Sequence, residues 1–234
     1  MEDKAKLKQE LLDKIGELKT ATDVNFGSPI TDVNLEKETI KEIGGLTEKL
    51  EGQNPHLFPL RYAVDLLDGI WHLQYSTSRE IRSLSKLKYG LKVGSVYQVI
   101  DLKTQSFFNQ AFVKHRLGLI SGYVLITATF ESAKENSSPL PDKRLNIDFK
   151  KRYLAIDKIA GVTTPKLNPF KIVPARNPKG RIPVFDITYL DETLRIGRGG
   201  DGGIYILSKS DNTKLPTVIS EQLPVISYYC KRQR

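Results

Sequence analysis

The chain has 234 residues, 39% of them hydrophobic, enough for one substantial core with room for a smaller appended element. A single cysteine, Cys230, excludes an internal disulfide framework, and no apolar run approaches the ~18 residues that cross a bilayer as a helix. The net charge of +9 is unevenly placed: residues 1–60 hold 8 Lys or Arg against 12 Asp or Glu, and the rest of the chain holds 28 against 15.

An acidic front on a basic body divides the chain into two expected modules, residues 1–60 and 61–234. The second either faces something anionic or carries a solvated excess of charge. The opening MEDKAKLKQELLDKI has neither the apolar core of a signal peptide nor the acid-poor, Arg-rich character of a transit peptide, so no leader is expected here. Leu7, Leu11, Ile15 and Leu18 recur at helical spacing and predict an amphipathic helix. Residues 25–29, Asn-Phe-Gly-Ser-Pro, break it. A second helix is expected after a Thr31 or Asp32 cap, with Leu35, Ile40, Ile43, Leu46 and Leu50 on its apolar face. The module that holds both helices is acidic on balance, which suits packing on the following domain better than lying on a membrane.

From residue 66 the period changes to two. Trp71, Leu73 and Tyr75 alternate with His72, Gln74 and Ser76, the pattern of a half-buried strand. Gly69-Ile70-Trp71 is similar to the G-x-W with which lipocalins enter their first strand, the indole lying under an arginine from the far end of the chain. Arg195 and Arg198 are the candidates for that arginine. A basic connector follows at 79–92, in part helical. Strands are then expected at 93–101, 105–113, 118–132, 144–157, 182–207 and 225–231, with a loop at 136–139. So many short antiparallel strands describe a barrel, which removes exposed edges, or an open sandwich.

The strand pattern stops between residues 158 and 183. Five prolines and six basic residues occur there with no acidic one. Lys166, Phe170, Lys171, Arg176 and Lys179 mix cations with apolar groups. The mixture suits either contact with an anionic lipid surface or an insertion docked on the barrel side.

Residues 188–207, TYLDETLRIGRGGDGGIYIL, read as strand, tight turn at Asp191-Glu192, strand, glycine corner and strand. Phe185, Ile187 and Tyr189 share one parity before the turn. This string resembles the C-terminal hairpin of the plastid lipid-associated (fibrillin) proteins. The resemblance covers the chain from the second helix onward. It implies a mainly β, lipocalin-like antiparallel barrel with an N-terminal helical module. It further implies non-catalytic binding of a small apolar lipid (isoprenoid, carotenoid, quinone or acyl lipid) and peripheral attachment to thylakoids or plastoglobules, on the cytoplasmic or stromal side. A structural coat protein with a solid barrel is the alternative. On this reading Trp71, Leu73, Tyr75, Phe107, Tyr123, Phe149, Tyr189 and Tyr205 line the barrel, with Arg195 or Arg198 at its closed end.

Catalytic signals are sparse. His56, His72 and His115 lie in unrelated elements, and no C-x-x-C, nucleophile elbow or phosphate loop occurs. Asp191-Glu192 reads as a turn former, and Arg198-Gly199-Gly200 as a hairpin corner rather than a nucleic-acid contact. No cofactor, metal or nucleic-acid partner is expected.

Overall fold

In a computed structural model the described residues are 3–21, 27–33, 35–84, 86–133, 143–177 and 180–210. The expected strand at 225–231, the loop at 136–139 and Lys179 lie outside them. Leu7, Leu11 and Ile15 form the buried stripe of α1 (Lys4–Ala21), and Ile43, Leu46 and Leu50 that of α2 (Lys37–Glu51). Helix α2 starts later than a Thr31 or Asp32 cap implies. Thr31 instead enters the two-residue β1 (Ile30–Thr31), and the Asp32 carboxylate accepts from Arg82, with Nε at 2.6 Å. No side-chain cap closes the start of α2.

A short α3 (Pro59–Tyr62) and a 3-10 turn lead into β2 (Gly69–Ser76), after which α4 (Arg79–Leu84) occupies part of the connector. The strands β3 (Leu91–Asp101), β4 (Ser106–His115), β5 (Ile120–Ser132) and β6 (Arg144–Ile159) follow as an antiparallel meander. Then come β7 (Val162–Thr163), β8 (Lys171–Pro174), β9 (Val184–Leu190), β10 (Leu194–Gly199) and β11 (Ile204–Lys209). The main path runs β2-β11-β10-β9-β6-β5-β4-β3, and a β2–β3 pairing closes those eight strands into an antiparallel ring. The barrel expected from the strand pattern is this closed ring, with helices outside it.

A closed ring gives every strand an inward and an outward face. The interior is one apolar cluster that includes Trp71, Leu73, Ile100, Phe107, Ala128, Ile147, Ile187 and Leu207, with Phe130, Phe149, Phe185 and Tyr205 packed against it. Ala63 and Leu67 close one end, and Ile81 and Leu84 of α4 pack in at the other. Outside, α1 and α2 share a second cluster with Tyr75, Tyr189, Leu194, Ile196 and Ile206. A third cluster, Ile70, Tyr97, Val99, Phe108, Tyr123, Leu125, Tyr153 and Ala155, lies on the outer face of β2 to β6.

Asp191 ties the helices to the hairpin tip. Its carboxylate accepts from the Thr193 and Leu194 amides at 2.8 and 2.7 Å, from the Tyr189 hydroxyl at 2.8 Å and from Lys8 Nζ at 2.7 Å. Burial alone would raise its pKa; those donors outweigh burial and hold the carboxyl below its usual range.

The proline-rich segment is not the unstructured stretch its composition implies. β8 pairs with β6, and Asn168 is held between the Tyr123 hydroxyl, which donates to its Oδ1, and Asp157, to which its Nδ2 donates at 2.7 Å. The prolines hide this strand because its partner is a stretch of β6 that β9 does not reach.

Where β5 and β6 change register, backbones approach closely. A Cβ on Gly122 would stand 2.0 Å from the Ala155 carbonyl oxygen, whereas one on Gly197 would meet the Phe185 ring at 2.2 Å. A ring can swing aside; a ladder carbonyl cannot. Gly122→Ala is therefore expected to cost about 2–3 kcal/mol and Gly197→Ala about 1 kcal/mol, read from urea midpoints. Wild-type stability for Gly122→Ala would refute the close approach.

Candidate functional site

The interior is organised around Trp71 near its capped end. Gly69, at φ 111°, turns the chain from the 3-10 segment into β2 and sets the indole inward. Trp71 is fully buried and its Nε1 donates to the Leu67 carbonyl at 2.8 Å. The Arg195 guanidinium carbon lies 4.8 Å from the indole centroid, and Lys209 Nζ lies 4.5 Å from it. A cation on an indole contributes about 0.5–2 kcal/mol.

Arg195 is 1% exposed. It donates from Nη2 to Gln98 Oε1, and Gln98 passes the polar line on to Asn109 Oδ1 at 2.9 Å. Its Nε has no hydrogen-bond partner, and among the described residues no carboxylate pairs with it. Burial lowers the Arg195 pKa to about 9, which leaves it protonated at neutral pH. Lys209 donates to the Leu66 carbonyl at 2.9 Å and to the Asp68 carbonyl. Burial first, then the Arg195 charge, pulls its pKa to about 8, with Asp68 opposing. Sequence reasoning missed Lys209. Only the ladder reveals it, where it stands directly opposite Trp71 in the β11–β2 pairing.

Next to this end, Phe107 packs with Phe130 and Phe149 at centroid distances of 6.3 and 6.4 Å. A cleft of about 530 Å³ adjoins them. Phe130, Ile147, Ile182 and Pro183 supply its apolar lining, and Gln105, Asn146, Asp148, Asn177 and Arg181 are among its polar groups. A second cleft, about 600 Å³ between α1 and α2, is lined almost entirely by charged side chains. Among the described residues no three His, Cys, Asp or Glu side chains converge as a metal site would need.

The ten residues expected to line the barrel divide by face. Trp71, Leu73, Phe107, Phe149, Tyr205 and Arg195 come together inside. Tyr75, Tyr189, Tyr123 and Arg198 face outward. For the first two the reason is a bulge. Gln74 has no partner between the Leu73–Leu207 and Tyr75–Ile206 pairs, and Thr188 has none between Ile187–Gly197 and Tyr189–Ile196. One extra residue exchanges the faces beyond it. Tyr123 sits on a strand covered on both sides, where parity cannot choose. Arg198 forms a bidentate pair with Glu51 of α2, at 2.8 and 2.7 Å. Lys166, Phe170, Lys171 and Arg176 are exposed along the outside of β6. No helix among the described residues is long and apolar enough to cross a membrane.

Comparison with known proteins places these features in a family. The PAP_fibrillin family model matches residues 6–208. The chain is similar to plastid lipid-associated protein 3 of Brassica campestris, 28% identical over 87% of this chain and 63% of the relative. It is 26% identical to plastoglobulin-1 of Pisum sativum, over 76% of this chain and 56% of the relative. It is 27% identical to the chromoplast-specific carotenoid-associated protein C1 of an Oncidium hybrid, over 89% and 70%. Across the first three relatives the match spans 52% to 63% of their own length.

The Lys209 environment has a pH signature. Its folded pKa lies below the ordinary 10.5, so the unfolded chain binds more protons between about pH 8 and 10.5, and folding gains stability as pH rises through that window. Wild type should therefore gain on Lys209→Met as pH is raised from 8 towards 10, measured by urea unfolding. A constant difference would place the ammonium in solvent.

Proposed function

This chain belongs to the PAP_fibrillin family, and from that premise we propose that it binds one small apolar lipid without catalysis and attaches peripherally to photosynthetic membranes or lipid droplets. The observation that carries the reading is the aromatic interior, Phe107, Phe130 and Phe149, adjoining a cleft with Phe130 and Ile147 in its wall. An isoprenoid or acyl tail burying about 300 Å² there would gain ~7 kcal/mol before the costs of ordering. Relatives named for carotenoid association and as plastoglobulins support the ligand class. The proposed lining is Trp71, Leu73, Phe107, Phe149 and Tyr205 with Phe130, and Arg195 and Lys209 supply positive charge at the capped end. Lys166, Phe170, Lys171 and Arg176 are proposed to face the lipid surface along β6.

The second reading is a coat protein that touches lipid only from outside. What favours it is a well-filled interior, with Trp71, Ile187 and Leu190 each at most 1% exposed.

Trp71 is the only tryptophan in the chain and reports on the interior alone. Titration with β-carotene or a long-chain quinone should quench it saturably, and oleate should shift its emission with little quenching. Ala128→Leu, opposite Phe107 in the β4–β5 ladder, should remove the saturable phase while circular dichroism stays native. Flat titrations with all three ligands on folded, delipidated protein would leave only the coat.

A further inference from the structure

We infer that the end of the ring farthest from the capped Trp71 site is a lipid-docking rim, in which three adjoining turns push apolar side chains into an anionic lipid surface. This rests on the peripheral attachment proposed above and names the surface responsible. Among the described residues twelve large hydrophobic side chains are exposed, and half lie on these turns: Tyr89, Leu117, Leu119, Ile120, Ile159 and Val162. Tyr89, Leu117 and Val162 are 88%, 72% and 67% exposed. A folded chain gains nothing in water by presenting such groups together.

The turns form one continuous edge. The Arg116 amide donates to the Gly90 carbonyl at 2.9 Å, joining the turn before β3 to that between β4 and β5. The Ala160 amide donates to the Leu119 carbonyl at 2.7 Å, and Ile120 pairs with Ile159, joining the latter to the β6–β7 turn. Hydrogen-bonded turns on a closed ring hold their tips at a fixed height, so insertion costs little ordering.

Charge selects the partner. Residues 86–92, 114–121 and 158–163 contain no Asp or Glu, while Lys88, Lys92, Arg116 and Lys158 are exposed among the apolar tips. Lys92 and Lys114 stand directly opposite in the β3–β4 ladder, which brings two cations to this end of the ring. Lysine is depleted in protein–protein interfaces, whereas aliphatic tips ringed by lysine match the acyl and headgroup layers of a lipid surface. The outward strap along β6 supplies cations but only two exposed apolar groups, Phe170 and Ile172, so it would add attraction rather than depth.

The test uses the full chain with Cys230→Ser and an environment-sensitive dye on a single cysteine, at Leu119→Cys or at Glu10→Cys on α1. The target is vesicles of equimolar phosphatidylglycerol and phosphatidylcholine. The dye at 119 should shift to the blue on binding while the dye at 10 does not. Leu117→Asp with Leu119→Asp and Val162→Asp should weaken partitioning by about tenfold or more. The charge-reversed strap, Lys166→Glu with Lys171→Glu and Arg176→Glu, should lose less. If vesicles bind the protein but the dye at 119 stays silent, the rim is overturned and peripheral attachment stands. If wild type binds no vesicles, the attachment reading falls and the rim with it. Should the triple aspartate variant fail to fold, the singly substituted dye at 119 decides.

Discussion

A guanidinium inside an apolar ring is the constraint from which much of this structure follows. Among the described residues Arg195 has no carboxylate beside it; it meets the Gln98 amide oxygen and the face of Trp71. Burying a cation without a counter-charge costs several kcal/mol, which the indole face and the Gln98 bond offset only while the side chain stays inward. With residue 195 inside, period-two alternation sends Leu194 and Ile196 outward. Two large aliphatic groups on the outer face of a strand need a cover, and α1 and α2 provide it. The helices are thus as much a consequence of the capped end as an addition to the ring.

The same cover explains the bulges. Tyr75 and Tyr189 would point inward by simple alternation, where Trp71 and Ile187 already fill the space. An extra residue at Gln74 and at Thr188 turns both rings out into the helix-covered cluster. The bulged residues then reach the helices themselves: Gln74 Oε1 accepts from Lys19, and Thr188 Oγ1 donates to Glu51 at 2.5 Å. Glu51 also holds Arg198, so one α2 carboxylate fixes two neighbouring strands. Asp191 makes the matching contact for α1 through Lys8.

Much of the fold was legible because its signals are local. The stripe of α1, the strands from 93 to 157 and the hairpin at 188–207 each declare themselves by period, and a core indole under an arginine followed from one tripeptide and one resemblance. The site was legible only as far as parity holds. Trp71, Leu73, Phe107 and Phe149 take the inward face that simple alternation predicts, because no bulge intervenes on their strands before them. Tyr75 and Tyr189 lie just past one, and a bulge leaves no mark in residue type. Lys209 and Asp191 escaped for a different reason. A lysine at a strand end and an aspartate in a turn are ordinary in sequence, and only the ladder shows that one lies on an indole and the other anchors a helix 183 residues away.

The uneven charge of the sequence becomes an orientation in three dimensions. The helices, which mix cations with carboxylates, pack over β2, β9, β10 and β11, while the acid-free turns join the β3 to β6 half of the ring at the end away from Trp71. An anionic lipid surface would attract the acid-free turns more strongly than the helix-covered side, so the protein would arrive with a preferred face. The cleft beside Phe130 lies towards the capped end, where the hairpin between β3 and β4 turns back. A molecule docked by the opposite rim would therefore hold this cleft, the entrance on the proposed ligand-binding reading, away from the surface. Exchange of lipid would then require either release from the surface or opening at α4, whose Ile81 and Leu84 pack against the interior cluster at the rim end. Of those two routes, the second moves a six-residue helix with no fully buried side chain of its own, and must break the Arg82–Asp32 pair that ties it down.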